Sequence, residues 1–376
     1  MRIAVTMLVF CVAALLALGM VMLYSASMVQ VGARYLLMQL VWGGIGLVAM
    51  LVAARLDYRL LRKFAWPLFI LALVLVAIVL HPRIGFSMNG ARRWLHVRSA
   101  HFQPSELAKL ALIVMLAWYG ERYQRHMSDW KRGILIPGLC VAPMLGLIFV
   151  EPDRGCTILL AGVTGAMLLI AGVQWKFFVP PFVLAAAGLA ISLWQDPMRI
   201  KRIMAWLYLE ENKTGAGYQA YQAMLALGSG GWFGLGLGNG RQKLGFVPEH
   251  HTDFIYSIMG EELGLAATLL VVVAFLIIVF CGLYIAVHAG DTFGLLLGAG
   301  ITLMIGMQAF INIGVVTSAL PNKGLPLPFI SYGGSNLLLM LTSVGVLFSI
   351  ARHAAQRSVE TNDLAEMEKL AAAQPS

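Results

Sequence analysis

A glycine-rich segment, residues 228–254 (GSGGWFGLGLGNGRQKLGFVPEHHTDF), contains the residue types best suited to chemistry. Its seven glycines between positions 228 and 240 disfavour a helix, because each costs about 1 kcal/mol relative to Ala in a helix interior. Asp253 lies at the start of an apolar stretch, where a carboxylate without a partner is unfavourable and is by default a functional candidate. Asp is also a favoured N-cap, so residue types alone leave catalysis and helix capping as equal alternatives. The polar residues that accompany Asp253 are Arg241, Lys243, Glu249 and His251.

A second candidate segment, residues 89–110 (NGARRWLHVRSAHFQPSELAKL), combines cations with a helix start. Arg92 and Arg93 are adjacent and precede Trp94, a combination suited to a phosphate at a membrane interface. Glu106 and Lys109 are spaced i,i+3 in the helix that follows, so they share a face and can pair. We expect such a pair to hold the bundle together, with support of a polar cavity as the alternative.

Two shorter segments complete the candidate chemistry. In EPDRG, residues 151–155, Asp153 could cap the next helix or face a polar cavity. Residues 320–335 (LPNKGLPLPFISYGGS) hold three prolines and three glycines, which exclude a regular helix. Non-helical backbone at membrane depth is tolerated only where it is buried in protein or lines a cavity. Lys323 and Ser331 favour a binding wall over a loop that only packs.

Long apolar stretches connect these segments. The chain has 376 residues, of which 60% are hydrophobic and only 12% are charged, too few charges for a water-exposed surface. Stretches of about 17–25 apolar residues can cross a hydrocarbon core of about 30 Å. We therefore predict an all-α polytopic membrane protein of about ten transmembrane helices with functional outward-facing loops. The predicted spans are 3–25, 35–54, 64–81, 105–119, 134–150, 155–173, 177–195, 254–287, 293–319 and 334–351.

Charge distribution orients the predicted bundle. Arginine and lysine crowd two short loops, at 55–63 and 122–132, and cations in short loops mark the cytoplasmic side. We predict that both termini are cytoplasmic, that residues 1–352 form one membrane domain, and that 353–376 form a cytoplasmic tail, either a solvated helix or disordered. The outward loops are then 82–104, 196–253 and 320–333, with a tight turn at 151–154. The net charge of +9 must face anionic headgroups or an anionic substrate.

The cysteines carry no metal or disulfide pattern. All four are widely spaced, without a CxxC or Cys/His arrangement, so neither a zinc site nor a disulfide framework is expected.

Together, the candidate segments resemble the SEDS (FtsW/RodA) family of peptidoglycan glycosyltransferases. The motifs occur in family order through most of the chain. They are GARRW at 90–94, QPSELAKL at 103–110, EPDRG at 151–155, GYQAYQA at 217–223, PEHHTDFI at 248–255, EELG at 261–264 and LPNKGLPLPFISYGG at 320–334. Within the family, QKLGFVPEHHTDF and Lys323-Gly324-Leu325 are more similar to the division members than to the elongation members. Arg154 and Cys156 depart from the usual residues after EPD.

The resemblance implies a reaction and a set of roles. The family transfers a glycan chain from undecaprenyl diphosphate to the 4-hydroxyl of an incoming lipid II, and the linkage changes from α to β. The resemblance identifies Asp253 as the essential carboxylate, the general base. The substrate-binding candidates are Arg92, Arg93, Arg241, Lys243, Lys323, Gln219, His251 and Ser331. Glu106, Lys109, Asp153 and Glu249 are expected to support the cavity. No metal ligand is assigned, and a divalent cation is left open.

The resemblance also implies a location and partners. We expect a bacterial inner-membrane protein whose active site faces the periplasm. Its expected partners are lipid II, a class B penicillin-binding protein that supplies transpeptidation, and divisome membrane proteins, with no nucleic acid. Two other functions remain as alternatives. A lipid II flippase would need a charge-lined path across the bundle, and a non-catalytic scaffold for a transpeptidase would not need Asp253.

Overall fold

The computed structural model describes residues 1–88, 91–97, 100–184, 187–188, 197–215, 217–247 and 251–372, and these ranges are predominantly helical. The helices of the N-terminal half, α1 to α7, are Arg2–Val31, Arg34–Arg55, Leu60–Lys63, Ala65–Val79, Pro104–Arg122, Ile136–Val150 and Arg154–Ile170. Those of the C-terminal half, α8 to α12, are Pro197–Leu207, Tyr218–Ser229, Ile255–Val287, Thr292–Val316 and Gly334–Ala372. A π-helical turn, Lys131–Leu135, leads into α6.

The all-α polytopic fold class is confirmed. Six helices in the described part of the chain are long and apolar enough to cross a membrane, and three shorter apolar helices accompany them. The short ones are Ala65–Val79, Arg154–Ile170 and Trp175–Leu184. The number ten stays a prediction, because part of the predicted span 177–195 lies outside the described residues. α12 continues as a helix from the membrane segment into the predicted tail, as far as Ala372.

Helix α5 lies at the centre of the bundle. From Ser105 to Ala117, every side chain except that of Leu107 is buried. The helix packs against α4, α7, α11 and α12, which surround it. A helix that is apolar on all sides is buried on all sides. Because Glu106 and Lys109 lie on this helix, they are held inside protein.

Residues 82–104 were expected to be an outward loop, but most of them form a small antiparallel sheet. Strands β1 (Gly85–Met88), β2 (Ala91–Val97) and β3 (Ala100–Phe102) pair in that order. The central residue Leu95 pairs with Gly85 on one side and Phe102 on the other. Strands this short give too few alternating positions to be recognised from periodicity.

Helix α10 is interrupted, which explains why its apolar segment exceeds one span. Gly264 has φ +81° and ψ −177°, which breaks the helix. The glycine-rich segment completes the broken hydrogen bonding. Leu265 N donates to Gly231 O at 2.9 Å, and Gly236 N donates to Glu262 O at 3.0 Å. The unpaired groups on both sides of the break are thereby satisfied by the loop backbone.

The candidate segments gather at one end of the bundle, which we call the Asp253 end. Arg93 of β2 bonds to the 151–153 turn through Glu151 O at 3.1 Å. Gln103 N donates to Ser335 Oγ at 3.1 Å, which links α5 to the start of α12.

Candidate active site

Asp253 lies in a half-buried turn, residues 251–254, immediately before α10. The helix begins at Ile255 with Phe254 at the N-cap position and no side-chain cap. Asp253 is therefore not the N-cap, and the capping alternative is not realised. The carboxylate is placed by the turn itself rather than by the end of a helix.

The proline-rich segment 320–333 packs directly on Asp253. A Cβ built on Gly324 would lie 2.6 Å from Asp253 Oδ2, so a side chain at this position would require the carboxylate to shift. Asn312 of α11 holds the two pieces together, since its Nδ2 donates to Asp253 O at 2.8 Å and to Leu325 O at 2.6 Å. Lys323 is adjacent to Gly324 and half-buried, so it lies on the segment that faces the carboxylate.

Ser331 and His251 fix the turn that carries Asp253. Ser331 Oγ donates to Thr252 O at 2.6 Å and accepts from Leu327 N at 2.8 Å. Ser331, which was predicted to bind substrate, is buried, and its hydroxyl binds backbone. The His251 ring stacks on Tyr35 of α2, with centroids 4.8 Å apart.

A buried network of hydrogen bonds, centred on Lys109, supports the proline-rich segment 320–333 from the interior of the bundle. The expected pair forms, with Lys109 Nζ 2.8 Å from Glu106 Oε1. Lys109 Nζ also donates to Gln308 Oε1 at 2.9 Å, and Gln308 Nε2 donates to Pro326 O at 2.8 Å. Asn336 of α12 donates to Glu106 Oε2 at 2.8 Å. The ion pair therefore joins α5 to α11 and α12. Through Gln308 it also positions the proline-rich segment that packs on Asp253.

Arg93 forms hydrogen bonds with the turn between α6 and α7. Its Nη2 donates to Pro152 O at 2.8 Å, and its Nη1 lies 3.8 Å from Asp153 Oδ2. Asp153 is the N-cap of α7, since its Oδ1 accepts from Cys156 N at 3.0 Å, as the capping interpretation expected. Burial raises the pKa of the Asp153 carboxyl, and Arg93 opposes the rise.

Glu151, in the same turn, is fully buried. Within the described residues, neither carboxylate oxygen of Glu151 has a hydrogen-bond partner. Burial raises the pKa of Glu151 to about 8, nearby Asp153 adds to the rise and Arg93 opposes it. This raised pKa favours the protonated form of the carboxyl near neutral pH.

Lys243 has a structural position, in contrast to the expected contact with substrate. Its ammonium is buried and donates to Glu262 Oε1 at 2.6 Å, Gly238 O at 2.8 Å and Ser25 Oγ at 3.0 Å. An ammonium has three N–H donors, so none is left for a diphosphate. The sequence could not distinguish the buried Lys243 from the exposed Arg241, which lies two residues earlier.

Paired acidic residues after the turn anchor the glycine-rich loop. Glu262 accepts from the backbone of Gly238 at 3.0 Å, and Glu261 accepts from the backbone of Arg241 at 2.7 Å. Both carboxylates are buried. They thus hold the loop that carries Arg241 against α10, which gives the EELG motif a structural role.

The remaining candidates are less enclosed. Arg92 and Arg241 are exposed, and Gln219 is half-buried in the first turn of α9. Glu249 lies outside the described residues. In the part of the chain that the structure describes, no three His, Cys, Asp or Glu side chains come together to hold a metal ion.

Several residues at the site were not assigned a role from the sequence. Gln39 Nε2 donates to Ser331 O at 3.1 Å, and Gln308, Asn312 and Asn336 make the contacts described above. Their common signal is a side-chain amide inside or beside an apolar span, where a polar group needs a partner.

The fold and site together define a polytopic membrane protein with a carboxylate and basic residues assembled at one end of its helix bundle. The model of the FtsW/RodA/SpoVE family, described as cell cycle proteins, matches residues 5–356, and the chain belongs to this family. It is 41% identical to a probable peptidoglycan glycosyltransferase FtsW of Trichlorobacter lovleyi, an alignment that covers 92% of each chain. It is 37% identical to the stage V sporulation protein E of Bacillus subtilis, over 90% of this chain and 94% of that protein.

Solved structures show the same fold. A chain of a peptidoglycan synthase complex, studied for the coordination of polymerization and crosslinking, superposes with a TM-score of 0.80 at 28% identity, covering 93% of this chain and 98% of that one. The rod shape determining protein RodA of Thermus thermophilus superposes with a TM-score of 0.67 at 28% identity, covering 92% and 95%.

Proposed function

We propose that this chain is a peptidoglycan glycosyltransferase that polymerises lipid II into glycan strands during cell division. The observation that carries the proposal is the placement of Asp253 in a half-buried turn against Gly324, with Lys323 on the facing segment. The names of relatives that are 41% and 40% identical, both probable peptidoglycan glycosyltransferases FtsW, support the reaction class and the division role.

Asp253 serves as the general base in this proposal. The carboxylate removes the proton from the acceptor 4-hydroxyl, and the oxygen attacks the anomeric carbon of the donor as the bond to the diphosphate breaks. The electron pair leaves with the diphosphate, and the linkage inverts from α to β. A glycosidase that inverts needs a second carboxylic acid to protonate its leaving alcohol. Diphosphate is a competent leaving group that needs cations instead.

Cations at the Asp253 end would stabilise the charge that develops on the diphosphate. Lys323 and the exposed Arg92 and Arg241 are the candidates, while Arg93 is committed largely to the 151–153 turn. Gln219 and His251 remain candidates for contacts with the sugar or peptide.

An apolar groove beside the site suits a polyprenyl chain. It has a volume of about 190 Å³ and lies between α5 and α12. Leu107, Leu110, Leu338 and Leu339 are among its apolar lining residues, and its polar lining residues are Glu106, Ser335 and Thr342. A lipid substrate could lay its chain there and present its diphosphate towards the Asp253 end.

The rival functions fit the buried polar residues less well. A flippase needs a polar path through the bundle, but the amides of Gln308 and Asn312 bond to the backbone of Pro326, Leu325 and Asp253. These contacts give the amide nitrogens of Gln308 and Asn312 structural partners, which need no transport path to explain them. A non-catalytic scaffold would not require the close approach of Gly324 to a carboxylate.

Membrane orientation and partner form the remaining part of the proposal. The chain lies in the inner membrane with both termini in the cytoplasm and the Asp253 end in the periplasm. A class B penicillin-binding protein supplies crosslinking, consistent with the likeness to a chain from a complex that couples polymerization with crosslinking. Other divisome membrane proteins would complete the assembly.

The test is polymerisation of labelled lipid II by the purified protein and by its Asp253→Asn variant. Loss of a base lowers the rate by about 10²–10⁴-fold, and the isosteric change should leave the thermal midpoint unchanged. Asp129→Asn, an exposed carboxylate far along the chain from the site, is the matched control. Polymerisation at the wild-type rate by Asp253→Asn would refute the base assignment. Lipid transport in proteoliposomes without polymerisation by the wild type would favour the flippase.

A further inference from the structure

A second cavity, of about 530 Å³, opens at the end of the bundle opposite to Asp253. Arg62, Trp118, Glu121 and Arg122 line it. Glu106 and Arg122 lie at opposite ends of α5, about 24 Å apart at a rise of about 1.5 Å per residue. The cavity is therefore separate from the candidate active site, and nothing in the proposed reaction uses it.

The cavity is rich in hydrogen-bond donors that protein groups do not occupy. Arg62 Nη1 contacts both oxygens of Glu121, at 3.1 and 3.2 Å. Glu121 thus fixes the guanidinium of Arg62 but engages only one of its nitrogens, and a guanidinium has five N–H donors. Across the described ranges, no protein acceptor is found for Nε or Nη2 of Arg62, or for the guanidinium of Arg122.

Apolar side chains flank these cations. Trp118 is half-buried and its ring meets Trp66 edge-on, with centroids 5.8 Å apart. Leu60 and Phe64, spaced i,i+4 on either side of Arg62, are 42% and 59% exposed. Tryptophan is enriched where a membrane meets water, because its ring is apolar and its N–H is polar. The site is thus cationic in its cavity and apolar along its margin.

The geometry points to a binding site for the headgroup phosphate of an anionic phospholipid, held by Arg62 and Arg122 with the acyl chains along Phe64 and Trp118. Guanidinium groups match phosphate oxygens in planar, bidentate geometry. Basic pockets between helices on the cytoplasmic side are suited to anionic headgroups. A free phosphate would use the same donors, but it would gain nothing from the apolar margin.

The experiment measures binding of dioctanoyl phosphatidylglycerol, dioctanoyl phosphatidylcholine and inorganic phosphate to the purified full chain in a neutral detergent. Phosphatidylglycerol should bind more tightly than both other probes. Arg122→Gln should weaken that binding about fivefold, the effect of about one charge at a membrane surface, and adding Arg62→Gln should weaken it about 25-fold.

Two matched variants separate a built site from general surface charge. Arg125→Gln removes an exposed cation close in sequence that does not line the cavity, so binding should be unchanged. Glu121→Gln removes a negative charge from the cavity and should leave binding equal or tighter, and weaker binding would overturn the assignment of the two arginines as the phosphate ligands. Equal losses from Arg125→Gln and Arg122→Gln would overturn the site. Equal affinity for phosphatidylcholine, or for inorganic phosphate, would overturn the assignment to an anionic lipid. Because no arm measures polymerisation, these outcomes are independent of the proposed enzymatic function.

Discussion

The side-chain amide of Asn312 donates to the backbone carbonyl of Asp253 at 2.8 Å and, with its other hydrogen, to Leu325 O at 2.6 Å. One residue of α11 therefore joins the turn that carries the carboxylate to the proline-rich segment that packs against it. Gln308, one helical turn earlier, holds Pro326 in the same way. The position of Asp253 thus depends on a contact made by α11.

Replacing Asn312 should impair catalysis by misplacing Asp253. We expect Asn312→Ala to lower the polymerisation rate about tenfold or more, because small displacements of a catalytic group have large effects on rate. Asn322→Ala, which removes an exposed amide from the proline-rich segment 320–333, is the control and should keep the wild-type rate. The measurements are the polymerisation rate and the thermal midpoint of each variant, which distinguish a loss of catalysis from a loss of stability. An unaffected rate in Asn312→Ala would contradict the positioning role.

Gly264 should tolerate no side chain. Its φ of +81° disfavours L-residues, and a Cβ there would collide with the backbone of Gly234, Trp232 and Phe233. We expect Gly264→Ala to lower the thermal midpoint by many degrees, because backbone atoms cannot move aside as a flexible side chain can. Gly44→Ala is the control, since a Cβ at Gly44 meets nothing within 4 Å. Comparable midpoints for the two variants would show that the break in α10 is not required.

Substitutions at Lys243 and Arg241 should have different effects, one on stability and the other on substrate binding. Lys243→Met leaves Glu262 as a buried charge without its partner, which typically costs about 3–5 kcal/mol. Its main effect should be a loss of stability, partly recovered in the double variant Lys243→Met/Glu262→Gln. Arg241→Gln changes an exposed side chain and should raise KM for lipid II without changing the thermal midpoint. If Lys243→Met were as stable as the wild type and had a raised KM, Lys243 would bind substrate, as the sequence predicted.

Glu151 should make stability depend on pH. Burial raises its pKa from 4.5 to about 8 in the folded protein, so between these values the folded state binds more protons than the unfolded state. Stability should therefore fall as pH rises from 6 to 8, by up to about 1.4 kcal/mol per pH unit.

Thermal midpoints across this range, for the wild type and for Glu151→Gln, provide the measurement. The amide cannot ionise, so its midpoint should depend less on pH and exceed that of the wild type at pH 8. Glu210→Gln, an exposed carboxylate, should keep the wild-type slope. An unchanged slope in Glu151→Gln would show that this carboxyl does not titrate in that window.

The sequence by itself determined the fold class and the pairing of Glu106 with Lys109, and the family resemblance singled out Asp253 as the candidate carboxylate. Apolar length and i,i+3 spacing depend only on helix geometry, which is local, and the family motifs mark the carboxylate. Only the tertiary structure decided which polar residues are structural. Lys243 and Arg241 are two positions apart in one loop, yet one is buried against Glu262 and the other is exposed. That difference arises from contacts with α1 and α10, which are distant in sequence, and no local pattern records them. The same holds for Asn312, whose partners lie 59 and 13 residues away in the chain.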